Sequence, residues 1–268
     1  MTVLVITGVA REAKLAAGPG IVTVCSGGSP RRLRALLARQ GPKGITAVLS
    51  FGIAGGLNPA LETGHVVVAD AVISADNRRM ADRALADALL RALSEVGRVK
   101  LLRATVAGAE IALADPDVKS AARAQTGAAV VDMESHIAAD YADEHGLPFG
   151  AVRVVCDPAS DSLPPLVNEA LNEDGSISLK GVFRSLRREP EQMLDLLKLA
   201  RTSRTAFSVL GRSGEVLKRA FAMAEGFTPE PFGSIVETIS GRVRQAYHAD
   251  DAGERLFEGP QAGREGRL

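Results

Sequence analysis

Short apolar runs rich in β-branched residues recur through the first part of the chain, at 3–7, 21–25, 45–51, 65–73, 100–107, 128–131 and 149–156. Most are continuous rather than alternating, which is the pattern of strands buried on both faces. Segments with helical spacing lie between several of them, at 30–40, 81–96, 115–126 and 134–146. Pro30 suits a first helical turn, Asp115-Pro116 supplies a capping side chain followed by proline, and Gly146 then Pro148 stop the helix that begins near Glu134. On that helix Met133, Ile137 and Tyr141 recur every four residues and are expected to face the core. Strands alternating with helices predict an α/β fold with a central mixed, largely parallel sheet flanked by helices.

The pattern changes beyond Asp157. Residues 161–175 are rich in proline, acids and asparagine, and two helical stretches follow. In the second, Phe207, Leu210, Gly214, Leu217 and Phe221 are spaced alternately by three and four, giving one apolar stripe. The stripe reads either as core packing or as the cover of an apolar groove. A chain of 268 residues can bury one large core. The expected organisation is therefore a single domain over 1–227, with 160–227 as its C-terminal helical part, and a weakly ordered tail over 228–268.

Charge and cysteine content remove several function classes. The 32 basic residues are matched by 32 acidic ones, so the broad positive field of a nucleic-acid binder is missing. Cys25 and Cys156 stand far apart and neither is in a Cys-x-x-Cys pair, which points to no zinc site, no other metal and no disulfide; both read as small buried side chains. The apolar start of the chain has no basic stretch before it and is interrupted by Arg11, Glu12 and Lys14, unlike a secretory signal. No apolar run approaches the roughly 20 residues that span a bilayer. A cytoplasmic protein is expected, with peripheral membrane contact left open.

Four clusters could carry chemistry. Ser26-Gly27-Gly28-Ser29 and Gly52-Ile53-Ala54-Gly55-Gly56 read as glycine turns that end strands, either for tight turning alone or for close backbone approach to a ligand. The helix starting near Pro30 would aim free N–H groups at an anion. Gly52, Gly55 and Gly56 do not make Gly-x-Gly-x-x-Gly, and Asn58, Pro59 and Gly64 leave no room for the required helix, so a dinucleotide site is set aside despite Asp70 downstream. In Val131-Asp132-Met133-Glu134-Ser135 a strand runs into a helix, where Glu134 could merely complement the helix dipole. Arg153 interrupts an apolar strand that Asp157 ends, at the carboxyl edge where α/β sheets present ligands, although the two could equally be a structural ion pair.

Taken in order, three of these segments resemble the nucleoside phosphorylase and methylthioadenosine nucleosidase superfamily. Phe51-Gly52-Ile53-Ala54-Gly55-Gly56-Leu57 with Gly64 to Asp70 is similar to its Gly-x-Ala-Gly-Gly turn and following strand. Val131 to Ser135 is similar to its Glu-Met-Glu-Ala segment, and Arg153 to Asp157 to its Arg-x-x-x-Asp strand. The resemblance covers roughly residues 1–160. Within the superfamily, the Asp132-Met133-Glu134-Ser135-His136 run and the Cys156-Asp157-Pro158-Ala159-Ser160-Asp161 stretch are most similar to hopanoid-associated nucleoside phosphorylases, which are thought to release adenine from adenosylhopane.

The resemblance implies a site. Asp157 would donate a proton or hydrogen bond to purine N7 and Arg153 would orient it. Glu134 would hold the ribose hydroxyls, Met133 would pack on the sugar, and Asp132, Gly55 and Ile111 would complete the nucleoside pocket, Ile111 standing near where relatives place a stacking aromatic. Glu110 beside it reads as a ligand or a solvated loop acid. Gly8, Arg11, Ser26 and Gly27 would hold inorganic phosphate as co-substrate, with no other cofactor. Against this, Ser50 stands where many phosphorylases carry a second arginine, and Glu12 is the candidate water base if the enzyme is instead a hydrolytic purine nucleosidase. A non-catalytic nucleoside-binding protein would keep Glu134 and the glycine segments without needing Asp157. The implied partner is a small or lipid-linked purine nucleoside, and a homo-oligomer is expected, although 74–80, where relatives insert a long interface segment, is short.

Overall fold

The computed structural model describes residues 2–75, 77–97, 99–163 and 193–226. The elements run β1 (Val3–Thr7), α1 (Ala10–Ala16), β2 (Ile21–Cys25), α2 (Pro30–Leu37), β3 (Ala47–Gly56), β4 (Val66–Ser74), β5 (Asn77–Met80), α3 (Arg83–Leu93), β6 (Leu101–Gly108), α4 (Pro116–Thr126), β7 (Val130–Asp132), α5 (Ser135–Glu144), β8 (Phe149–Asp157) and α6 (Met193–Gly226). The expected α/β architecture is present. Two short elements escape the apolar pattern: α1 is only 7 residues long, and β5, Asn-Arg-Arg-Met, pairs antiparallel with β4 at the sheet edge without an apolar run.

Pairing around the sheet closes on itself. β3 lies parallel to β8, β8 antiparallel to β4, β4 parallel to β6, β6 parallel to β7, and β7 antiparallel to the end of β3. β1 and then β2 extend the sheet in parallel from the first half of β3. β3 can serve both regions because its register against β8 shifts between Ala54 and Gly55, a local irregularity of the kind that bends a strand. The glycine-rich segment 52–56 is therefore part of a strand and not the turn expected from composition. Gly27 and Gly28, in contrast, form a true turn, with φ of 69° and 75° in the left-handed region.

Continuous apolar strands follow from two cores, one on each face. Leu4, Ile6 and Val48 pack with Leu33 of α2 and with Ile137 and Tyr141 of α5. Val3, Val5, Leu49 and Phe51 pack with Leu89 of α3 and with Leu210 and Leu217 of α6. Alternate residues of β1 thus serve opposite cores, and neither face of the strand is left for water. Ile137 and Tyr141 face the core as their spacing predicts. The apolar stripe of α6 contributes to core packing, with Phe207, Leu210 and Leu217 buried against the sheet, while the segment expected to form a groove with it lies almost wholly outside the described residues.

Clustering of contacts separates a compact unit, Met1–Ala222, from Met223–Leu268, of which only the first residues are described. The expectations for 164–192 and for a tail over 228–268 lie outside the described residues. No described helix is long and apolar enough to cross a membrane.

Two glycines of α6 give a paired test of how it seats. A Cβ at Gly214 would lie 2.6 Å from the Leu15 carbonyl oxygen, whereas one at Gly211 would lie 3.5 Å from the Leu15 side chain. Gly214→Ala must push α6 off α1 and should cost about 1–3 kcal/mol in urea unfolding. Gly211→Ala should instead gain about 0.5–1 kcal/mol from helix propensity. Equal midpoints for the two variants would show that α6 does not seat on Leu15.

Candidate active site

The carboxyl ends of β3, β7 and β8 and the loops after β1 and β2 surround a cavity of about 400 Å³. Its lining includes Gly8, Glu12, Gly27, Gly55, Ile111, Asp132, Met133, Glu134 and Asp157, so the three resembling motifs converge on one place. Four of these are acids, and among the described residues no lysine, arginine or histidine lines the cavity.

Local chain chemistry explains how each acid is aimed. At the start of α5, the Asp132 Oδ1 accepts from the backbone N–H groups of Glu134 at 3.0 Å and Ser135 at 2.8 Å. Asp132 therefore does the capping, and the Glu134 side chain, which makes no cap bond, is released into the cavity. There the Ser26 hydroxyl donates to Glu134 Oε1 at 2.9 Å. Glu12, at the third position of α1, reaches back to the Gly8 and Val9 N–H groups at 2.7 and 3.0 Å, as the glutamate of a capping box does. Its other oxygen accepts from Ile53 N–H at 2.8 Å, tying the first loop to β3.

Beneath these acids lies Arg153, fully buried in β8. Its Nε is 2.5 Å from Asp132 Oδ2, its Nη2 is 3.9 Å from Glu134, and it donates to the hydroxyls of Ser50 and Ser135. Glycines clear the space around it. A Cβ at Gly52 would lie 2.6 Å from both Arg153 Nη1 and Glu12 Oε1, one at Gly8 3.0 Å from Glu134 Oε1, and one at Gly55 3.2 Å from Asp157 Oδ2.

Electrostatics separate two ends of the cavity. Burial pushes Glu12 above the ordinary carboxylate range against the pull of Arg153 and three backbone N–H groups. Burial likewise pushes Glu134 up to about 7, against Arg153, with Asp132 and Glu12 adding to the rise. At the other end burial pushes Asp157 up to about 6, opposed by Lys119, whose Nζ is 2.6 Å from Asp157 Oδ2.

Several expected placements are corrected. Arg153 does not orient Asp157: four residues along a strand separate them by about 13 Å, and Arg153 pairs with Asp132 while Lys119 pairs with Asp157. Arg11 is not at the cavity. One helix position before Glu12, it is rotated by about 100°, and its guanidinium lies 4.3 Å over the Phe207 ring. Ser26 is fully buried and serves Gly8 O and Glu134 rather than lining the cavity, although Gly27 does line it. Ile111 stands at the rim, 68% exposed, and Glu110 is bound to Arg34 and His136 outside the cavity. Ser50, in place of a second arginine, accepts from Arg153. Cys156 is buried, but Cys25 only half so.

Lys119 is the residue the sequence pattern passed over, because a lysine on a polar helix is ordinarily solvated. One signal existed. α4 is poor in large apolar residues and exposes Val118, while Lys119 shares a face with Ala122, which packs against Leu57 and Val131 in a small core.

Comparison with known proteins agrees with this geometry. Residues 9–180 match the model of the phosphorylase superfamily, and the chain belongs to that superfamily. Among solved structures, a Weissella paramesenteroides protein described as a methylthioadenosine nucleosidase is similar at 20% identity and TM-score 0.59, over 82% of this chain and 96% of that one. The 5′-methylthioadenosine/S-adenosyl homocysteine nucleosidase of Campylobacter jejuni is similar at 14% identity and TM-score 0.58, over 82% and 99%. Futalosine hydrolase of Helicobacter pylori follows at 16% identity and TM-score 0.52, over 60% and 90%. Comparison with curated proteins gives no match.

The raised value of Glu134 has a consequence for stability. With its folded value near 7 against an ordinary 4.5, the folded state holds the proton more tightly, so stability falls as pH rises through that window. Between pH 5 and 8 the wild type should lose on the order of 1–3 kcal/mol relative to Glu134→Gln. Urea unfolding of both proteins at the two pH values measures it; a constant gap would mean that Glu134 does not titrate there.

Proposed function

We propose that this protein hydrolyses the N-glycosidic bond of a purine nucleoside. The observation that carries the reading is the charge of the cavity lining: Glu12, Asp132, Glu134 and Asp157 face a space that no basic side chain lines among the described residues. Breaking a ribosyl–purine bond builds positive charge on the sugar and negative charge on the base. Carboxylates at the sugar end stabilise the first, and a protonated acid at the base end relieves the second.

Glu134, fixed by Ser26, accepts hydrogen bonds from the ribose hydroxyls, with Met133 packed on the ring. Asp157 gives its proton to purine N7. Glu12 takes a proton from the attacking water, and its elevated proton affinity suits a general base. The acids that line the cavity among the described residues weigh against a phosphate dianion, since any that are ionised would repel it. Phosphorolysis, the expectation from the hopanoid-associated resemblance, keeps one support: the left-handed turn at Gly27 and Gly28 lines the cavity with backbone rather than side chain. For the substrate, Ile53, Ile111, Leu113 and Leu163 form an apolar flank of the cavity, which suits a nucleoside carrying an apolar 5′ group, from methylthioadenosine to adenosylhopane.

The test follows adenine release from adenosine and 5′-methylthioadenosine in phosphate-free buffer and then with rising phosphate, identifying the sugar by mass. The expected result is a free ribosyl product at a rate independent of phosphate, lowered by a factor on the order of 10²–10⁴ in Glu12→Gln. A saturable phosphate requirement with a sugar 1-phosphate product would establish the phosphorylase instead. Tight nucleoside binding without release of any base would leave a binding protein.

A further inference from the structure

Lys119 is held in a manner unusual for a lysine. Its side chain has 0% exposure, so the ammonium has given up its water and needs other partners for every proton. It has three. Nζ donates to Asp157 Oδ2 at 2.6 Å, to Asp161 O at 2.8 Å and to Pro158 O at 3.1 Å. All three donors are used, none is left for a ligand, and the chain following β8 is drawn onto α4 around the acid. Lys119 itself does not line the cavity, whereas Asp157 does.

We propose that Lys119 is the positioning residue that sets the acid strength of Asp157, holding Oδ2 and stabilising the carboxylate left behind when the acid's proton passes to the departing base. This rests on the reading of Asp157 as the acid given above. The charges facing Asp157 are few. Lys119 comes from α4, Asp161 from the segment after β8, and Lys198 of α6 holds the Asp161 carboxylate at 2.7 Å. Beside it on β8 the Cys156 thiol is pushed up to about 11 by burial and stays neutral. From β3 the neighbours are Gly55, against the carboxylate, and Gly56, against the Asp157 backbone, neither of them charged. Among the described residues Lys119 is thus the one cation bonded to Asp157.

The proton account closes. The C1′–N9 bond breaks with its electron pair going to the purine, the Asp157 proton moves to N7, and neutral base leaves a carboxylate facing the ammonium. Water adds to C1′ and its surplus proton goes to Glu12; after product release that proton returns to Asp157 through solvent. Without the ammonium, Asp157 binds its proton more tightly and gives it up less readily.

Lys119→Gln keeps a hydrogen-bonding side chain and removes the charge. In the descending limb of the kcat/KM profile on adenosine, the limb that Asp157→Asn abolishes, it should move the midpoint upward by about one pH unit or more. It should also lower kcat about tenfold or more, with a smaller change in KM. Lys119→Arg should restore most of both. A 4-nitrophenyl riboside, whose leaving group needs no protonation, should lose less than about threefold. An unmoved limb in folded Lys119→Gln, or equal losses on both substrates, overturns the role. If Asp157→Asn retains the full rate on adenosine, the acid itself is misassigned, which is a distinct failure. Where Lys119→Gln does not fold, Lys119→Met, which keeps the apolar stem and removes the charge, is read by the same limb and the same pair of substrates, and an unmoved limb or equal losses there overturn the proposal.

Discussion

One buried guanidinium organises the end of the cavity where Glu12, Asp132 and Glu134 meet. Arg153 lies wholly inside the sheet, where an unpaired charge would cost several kcal/mol, and its partners come from elements distant in sequence: Asp132 from β7, Ser135 from α5 and Ser50 from β3. Satisfying it forces these elements to meet at one point. Glu134 at 3.9 Å and the buried Glu12 then complete a cluster of three carboxylates around a single cation. Burial chiefly raises Glu12 and Glu134 above the usual range; Arg153 opposes the rise in both, and Asp132 and Glu12 add to it at Glu134. On the proposed reading, such a cluster suits a substrate that develops positive charge.

The glycines gain their meaning from the same crowding. Gly52 is extended within β3, and what it supplies is an absent side chain where Arg153 and Glu12 press against the strand. Gly8 and Gly55 do the same for Glu134 and Asp157. Of the glycines in the two clusters, Gly27 and Gly28 use a positive φ, whereas Gly52, Gly55 and Gly56 do not. A glycine-rich segment can therefore be a strand whose surface has been cleared for its neighbours.

Much of the fold was legible because a sheet with a core on each face needs apolar residues without alternation, and β1, β3 and β8 show that pattern. The acids lining the cavity were legible by their place at strand ends, where Asp132, Glu134 and Asp157 stand. What was hidden is pairing across elements. Arg153 and Asp157 share a strand and look like partners, yet side chains about 13 Å apart along it cannot touch. Arg11 and Glu12 are neighbours, and the turn of α1 sends one to Phe207 and the other into the cavity. Neither β5 nor Lys119 has an apolar signature, because β5 is a polar edge strand and Lys119 is a buried charge.

Placing the two cations away from the lining divides the labour of the site. Arg153 lies beneath the Glu134 end and Lys119 behind the Asp157 end, and each is separated from the cavity by the acid it holds. A ligand entering the cavity therefore meets carboxyl groups whose proton affinities have been adjusted from behind. If either cation lined the cavity directly, it would oppose the positive charge that grows on the ribosyl carbon as the bond breaks. Held behind the lining, Arg153 opposes the rise at Glu134 and Lys119 opposes it at Asp157, without either cation facing the cavity. The proposed reading takes a neutral nucleophile over an anionic one because, among the described residues, no cation lines the cavity to compensate phosphate. Superfamily membership alone leaves that choice open.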